Sequence, residues 1–131
     1  MSKGDSATPL GQVRGLGSAH HGGEHWLAER FSIVALLLLG LWLIIALALL
    51  PDLSRPTLLE WLRQPLVAVP MGLFVVASFA HGLDGLKVAI DDYVHDEANN
   101  FALSTLIKFA GVGGAALALF ALARIAFGAQ A

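Results

Sequence analysis

Between Phe31 and Leu50 the sequence reads FSIVALLLLGLWLIIALALL, a run of about twenty residues without a charge, which as a helix crosses ~30 Å of hydrocarbon. Such a run leaves few choices of fold, because a backbone in lipid must satisfy its own N–H and C=O groups and so spans as a helix. Trp26 and Arg30 flank the run on one side, and Pro51 and Asp52 stop it on the other. Two further apolar stretches follow. One extends from about Pro65 to Tyr93, with Pro70 expected to loosen its first turns because it has no N–H to donate. The other extends from about Phe101 to Phe127, with Lys108 and Arg124 long enough to snorkel and with Gly111, Gly113, Gly114, Ala115 and Ala118 as a small-residue packing surface. The expected fold is an all-α integral membrane protein with three transmembrane helices at about 28–50, 65–93 and 101–127.

Composition agrees. Hydrophobic residues make up 56% and charged residues 14% of the 131, and the mean hydropathy is +0.71, outside the range of soluble domains. Three spans use most of the length, leaving no room for a soluble catalytic domain, so any enzymatic activity has to be shared with other chains. A net charge of −2 without a basic run argues against nucleic acid. The absence of Cys removes disulfides, zinc–cysteine sites and iron–sulfur ligation. Residues 1–25 lack both the apolar core of a secretory signal and the pattern of a transit peptide. They read as a flexible polar tail ahead of a membrane domain over 26–131, on a bacterial protein whose first helix doubles as insertion signal. In the connection PDLSRPTLLEWLRQ, Trp61 suits an interfacial position and Leu58–Leu62 a brief surface helix. Orientation is not fixed by charge, since Lys3, Arg14 and Arg30 on one side balance Arg55, Arg63 and Arg124 on the other.

The chemistry concentrates in HGLDGLKVAIDDY, His81 to Tyr93. On a helix His81 is bordered by Ser78, Gly82, Gly85 and Ala89, which leaves space for something broad and flat beside the imidazole. A neutral imidazole is a good axial ligand for haem iron. The competing reading is a histidine that only hydrogen-bonds a neighbouring helix, with Ser78 as bridge. Tyr93 lies twelve residues further on, ~18 Å along the axis and near the membrane surface. There its phenol can donate to a quinone carbonyl, with Asp92 tuning it, or serve as an ordinary interfacial aromatic. Arg30 can neutralise a haem propionate, a quinone-site carboxylate or a lipid phosphate. His20, His21 and His25 form at most a weak metal site, and the Asp91, Asp92, Asp96, Glu97 cluster reads as a solvated loop. Asp84 and Lys87 are too polar for a lipid-facing helix centre and have no assigned role. A small transporter or ion-conducting subunit, suggested only by Asp84, Lys87 and Lys108, ranks last because the internal repeat or paired broken helices such a function often shows are missing.

Taken together, the WLAER entrance at Trp26–Arg30, Trp61 with Pro65, and above all HGLDGLKVAIDDYVH from His81 to His95 resemble the D-type hydrophobic membrane-anchor subunits of succinate dehydrogenase (succinate:quinone oxidoreductase, complex II). The resemblance implies that His81 is an axial ligand of haem b, the second ligand coming from a companion C-type anchor. It also implies that Tyr93 hydrogen-bonds ubiquinone with Asp92 close by, and that Arg30 lies near the haem or quinone region. The implied partners are that second anchor, a flavoprotein subunit, an iron–sulfur subunit and membrane lipid. The implied function is electron transfer from succinate to quinone, linking the tricarboxylic acid cycle to the respiratory chain at the bacterial inner membrane, with a cytoplasmic N-terminus. No complete active site is expected in this chain alone. The alternative is a cofactor-free structural or assembly membrane protein.

Overall fold

The computed structural model describes residues 22–128, of which residues 22–25 and 28 are described as backbone only. The expected flexible tail therefore lies largely outside the described residues, as do His20, His21 and the side chain of His25. Four helices follow one another: α1 (Gly22–Ala48), α2 (Arg55–Arg63), α3 (Pro65–Tyr93) and α4 (Glu97–Ala126). Three of them are long and apolar enough to cross a membrane, over Glu29–Ala48, Pro65–Tyr93 and Glu97–Ala126. The three-span, all-helical architecture expected from hydropathy is the one observed.

Local chemistry sets the boundaries. α1 runs out one turn before Pro51, whose missing N–H and ring cannot continue it. Asp52 then organises the turn into α2, its carboxylate accepting from the Ser54 amide and the Thr57 hydroxyl, each at 2.8 Å. α3 starts at Pro65, where a proline at the first helical position sacrifices only an N–H that has no intrahelical partner. Pro70 sits inside this helix without ending it. α4 begins at Glu97, four residues before the expected Phe101. The reason is a cap: Asp96 accepts from the Asn99 amide at 2.9 Å, and Glu97 in the first turn favours the helix dipole. Hydropathy could not detect this polar first turn.

α3 is the central helix. It packs against α1 on one side and α4 on the other, while α2 lies across α3 and α4. Among the described residues no Cα of α1 comes within 8 Å of one in α4. The α3–α4 contact is close because glycines receive large side chains. A Cβ placed on Gly111 would stand 2.5 Å from Leu83, and one on Gly114 would stand 2.8 Å from Phe79. Gly113, between them, faces open space, so the expected small-residue surface is a packing face at two glycines and not at the third.

Trp61 has a partner that hydropathy did not foresee. It is 9% exposed and stacks on Trp42 of α1, with centroids 6.2 Å apart and planes 17° from parallel. This contact folds α2 back onto the bundle. Only Trp61, Val67, Ile90 and Ser104 are buried among the described residues, while Leu37, Ile44, Leu66, Phe109 and Leu117 are each more than half exposed. That is the surface of a chain whose apolar side chains are covered by lipid or by other subunits.

Candidate functional site

His81 is half-buried on α3 and turned toward α1. Its Nδ1 lies 3.1 Å from the Ser32 hydroxyl oxygen, and that hydroxyl donates to the Glu29 carbonyl at 2.7 Å. The expected bridge, Ser78, instead lines a groove of about 470 Å³ between α3 and α4, together with Gly82, Leu86 and Ile107. Ser32 was not legible as a partner, because a lone hydroxyl early in an apolar run carries no spacing signal. Its place beside the span's entrance arginine was the only hint.

Two pairs fix how α1 lies on α3. Ser32 faces His81 and Gly40 faces Phe74, where a Cβ would stand 3.8 Å from the ring, so the helices run antiparallel. Continuing that register puts Arg30 about two residues, or ~3 Å, from the level of His81 and about ten residues, or ~15 Å, from the level of Tyr93. The Arg30 guanidinium is exposed and sits 5.3 Å from the Trp26 ring centroid, a cation–π contact that keeps it at the head of α1. Arg30 and His81 are thus neighbours in height, and Tyr93 belongs to another level.

The surface beside His81 suits a flat, bulky group. Gly85, one turn from His81 on the same side of the helix, has nothing within 4 Å of where a Cβ would be, and Gly82, on the adjoining face toward the α3–α4 groove, is equally open. No bond from within the described chain reaches the second imidazole nitrogen, Nε2. Among the described residues no group of three or more His, Cys, Asp or Glu gathers around a common point. A single nitrogen donor beside open space fits a haem, whose iron takes four ligands from its own porphyrin and so asks little of any one protein chain.

At the other end of α3, Tyr93 is 84% exposed and Asp92 is exposed beside it. Neither makes a side-chain hydrogen bond within the described chain. Their surroundings are nevertheless ordered. Lys87 pairs with Asp91, Asn100 donates to Asp91 at 3.0 Å and to the Val94 carbonyl at 3.2 Å, and Ser104 donates to Asn100 at 3.3 Å. This chain of contacts ties the end of α3 to the start of α4 and borders a cavity of about 570 Å³. Three residues read from sequence as loose or unassigned acquire a function: Lys87 and Asp91 lace the turn, and Asp96 caps α4. Asp84 stays exposed, with no partner among the described residues.

A family model described as the succinate dehydrogenase/fumarate reductase transmembrane subunit matches residues 4–123. The chain belongs to that family. Its similarity extends to the succinate dehydrogenase hydrophobic membrane anchor subunit of Paracoccus denitrificans, 36% identical over 122 residues, 93% of this chain and 94% of that protein. Proteins of the same description from Rickettsia bellii and Rickettsia conorii are 31% and 30% identical, each over 69% of this chain and 72% of their own length. This succinate dehydrogenase anchor subunit has three helices long and apolar enough to cross a membrane, as an anchor needs.

Proposed function

We propose that this anchor subunit binds haem b through His81 and forms part of the ubiquinone-reduction site through Tyr93 and Asp92. Succinate-derived electrons reach that quinone from a flavoprotein subunit by way of an iron–sulfur subunit. The observation that carries the haem assignment is the asymmetry of the imidazole. Nδ1 is engaged by Ser32 while Nε2 has no partner in the chain and glycine-lined space stands beside it. The competing reading, a histidine that only packs helices together, is favoured by the Ser32 contact itself. It leaves the second ring nitrogen unexplained.

Each residue has a defined task. His81 Nε2 offers a lone pair to iron, and the missing side chains at Gly82 and Gly85 let a porphyrin approach α3. A haem bound there supplies a one-electron centre within the membrane. Arg30, level with His81, neutralises a propionate, and the register argues against its serving the quinone end. Tyr93 donates its phenolic proton to a quinone carbonyl as negative charge develops on the oxygen, and Asp92 orients that phenol. A companion C-type anchor would complete the haem site, and that anchor with the iron–sulfur subunit would complete the quinone pocket. In this arrangement the chain sits in the bacterial inner membrane with its N-terminus and the Asp92–Tyr93 end toward the cytoplasm.

The test is spectroscopic and kinetic on the purified complex. His81→Ala is expected to abolish or shift the b-type absorption. Tyr93→Phe is expected to keep that spectrum and to raise the quinone KM about two- to tenfold, the net worth of one hydrogen bond. An unchanged spectrum in the first variant would remove the haem assignment, and normal quinone kinetics in the second would remove Tyr93 from the site.

A further inference from the structure

We propose that Ser32 is a positioning residue that fixes His81 as the Nδ1–H tautomer, so that Nε2 is the nitrogen presented for ligation; the proposal rests on the haem reading above. The reasoning is a proton count. Ser32 has one hydroxyl proton and two near neighbours, the Glu29 carbonyl oxygen at 2.7 Å and His81 Nδ1 at 3.1 Å. A carbonyl oxygen can only accept, so the short contact to Glu29 consumes the proton. Were the proton directed at Nδ1 instead, two oxygens would face each other at 2.7 Å with nothing between them. The arrangement that satisfies both contacts has Ser32 donating to Glu29 and accepting from an N–H on Nδ1.

A neutral imidazole has one N–H, so placing it on Nδ1 leaves the lone pair on Nε2. The Glu29 carbonyl belongs to the backbone of α1 and cannot swing away, which makes the serine a fixed post. A ring held at Nδ1 also loses freedom to rotate about its bond to the helix. Tautomer and ring plane are set together by an element outside α3, as second-shell partners do for ligating histidines. Donation from Nδ1–H to an oxygen also raises the electron density on Nε2 and stabilises the oxidised metal. Ser32 is a suitable length for this task. Alanine there has no acceptor, whereas threonine keeps the hydroxyl on the same Cβ.

The experiment uses the assembled complex with Ser32→Ala, Ser32→Thr and His81→Ala, reading haem per complex, the haem midpoint potential and the g-values of the oxidised low-spin signal. Ser32→Ala is expected to retain haem about 10–100-fold less tightly, with the potential moved upward and the g-values shifted. Ser32→Thr should stay close to wild type on all three. A general packing defect would lower yield but would not move the potential of the haem that remains. If His81→Ala loses the spectrum while Ser32→Ala matches wild type in retention, potential and g-values, the positioning role is wrong and the haem assignment stands. A wild-type complex without b-type haem, or one indifferent to His81→Ala, overturns both.

Discussion

Adding one methyl group at Gly111 tests whether α3 and α4 meet as described. The new Cβ of Gly111→Ala would stand 2.5 Å from Leu83 Cδ2, 2.8 Å from Cγ and 2.9 Å from Cδ1. Carbon atoms pack best at about 3.5–4.0 Å, so Leu83 has to retreat by roughly 1 Å. Because its branch point is among the overlapping atoms, turning the end of the side chain does not relieve the clash. Overpacking of this kind destabilises by about 1–3 kcal/mol. Replacing glycine within a helix returns up to about 1 kcal/mol, so the net loss is roughly 0–2 kcal/mol. Gly113→Ala is the internal control. It gains the same helix propensity and meets nothing within 4 Å, so it should be neutral or stabilising, and the two variants should differ by the full overpacking term. The measurement is unfolding of the chain in mild detergent by added SDS, followed by the fluorescence of the stacked Trp42 and Trp61. Leu83→Ala in the Gly111→Ala background should be less damaging than in wild type, because the cavity it leaves accepts the added methyl. Equal stability of Gly111→Ala and Gly113→Ala, together with additive behaviour of Leu83→Ala, would show that Leu83 does not seat against Gly111.

Two other expectations concern the turns. Asn100→Ala removes the group that bridges Asp91, Val94 and Ser104. It should destabilise by about 1 kcal/mol and speed amide exchange at the α3–α4 turn, whereas Lys87→Gln, which breaks only an exposed ion pair, should cost about 0–1 kcal/mol in the same SDS titration. In the turn before α2, hydrogen bonds from the Ser54 hydroxyl and amide and from Thr57 hold the Asp52 carboxyl below its ordinary value of 3.8. A depressed pKa contributes order that is complete above that value and is lost as pH falls through the folded-state pKa. Protection of the Ser54 amide, taken as exchange relative to the free-peptide rate at the same pH, should therefore fall only below about pH 4, and Asp52→Ala should remove that protection at every pH.

The spans were legible because a membrane helix announces itself by length and lack of charge, signals that need no knowledge of neighbours. Asp96 was readable in principle as an N-cap, yet hydropathy starts α4 at the first apolar residue and passes over the polar turn before it. The partner of Trp61 was not legible, because a tryptophan at a span's edge looks the same in sequence whether or not it stacks on another tryptophan. Ser32 was invisible for a different reason. Its meaning lies in the antiparallel register of α1 on α3, which is set by side chains forty-nine residues apart in the chain. That His81, Asp92 and Tyr93 share one helix, with Tyr93 about three turns beyond the histidine, was legible in the sequence, while the side chains around them required the fold.

The lack of contact between α1 and α4 has a mechanical consequence. Away from the Trp42–Trp61 stack, through which α2 links α1 to α4, the two long helices meet only by way of α3, so the α1–α3 and α3–α4 pairs can be adjusted largely independently at the His81 level and beyond. Substitutions along α1 act on the orientation of the His81 ring through Ser32. Those along α4 act through Asn100 and Ser104 on where Asp92 and Tyr93 emerge. Variation can tune the two ends of α3 separately, like two keys on one string.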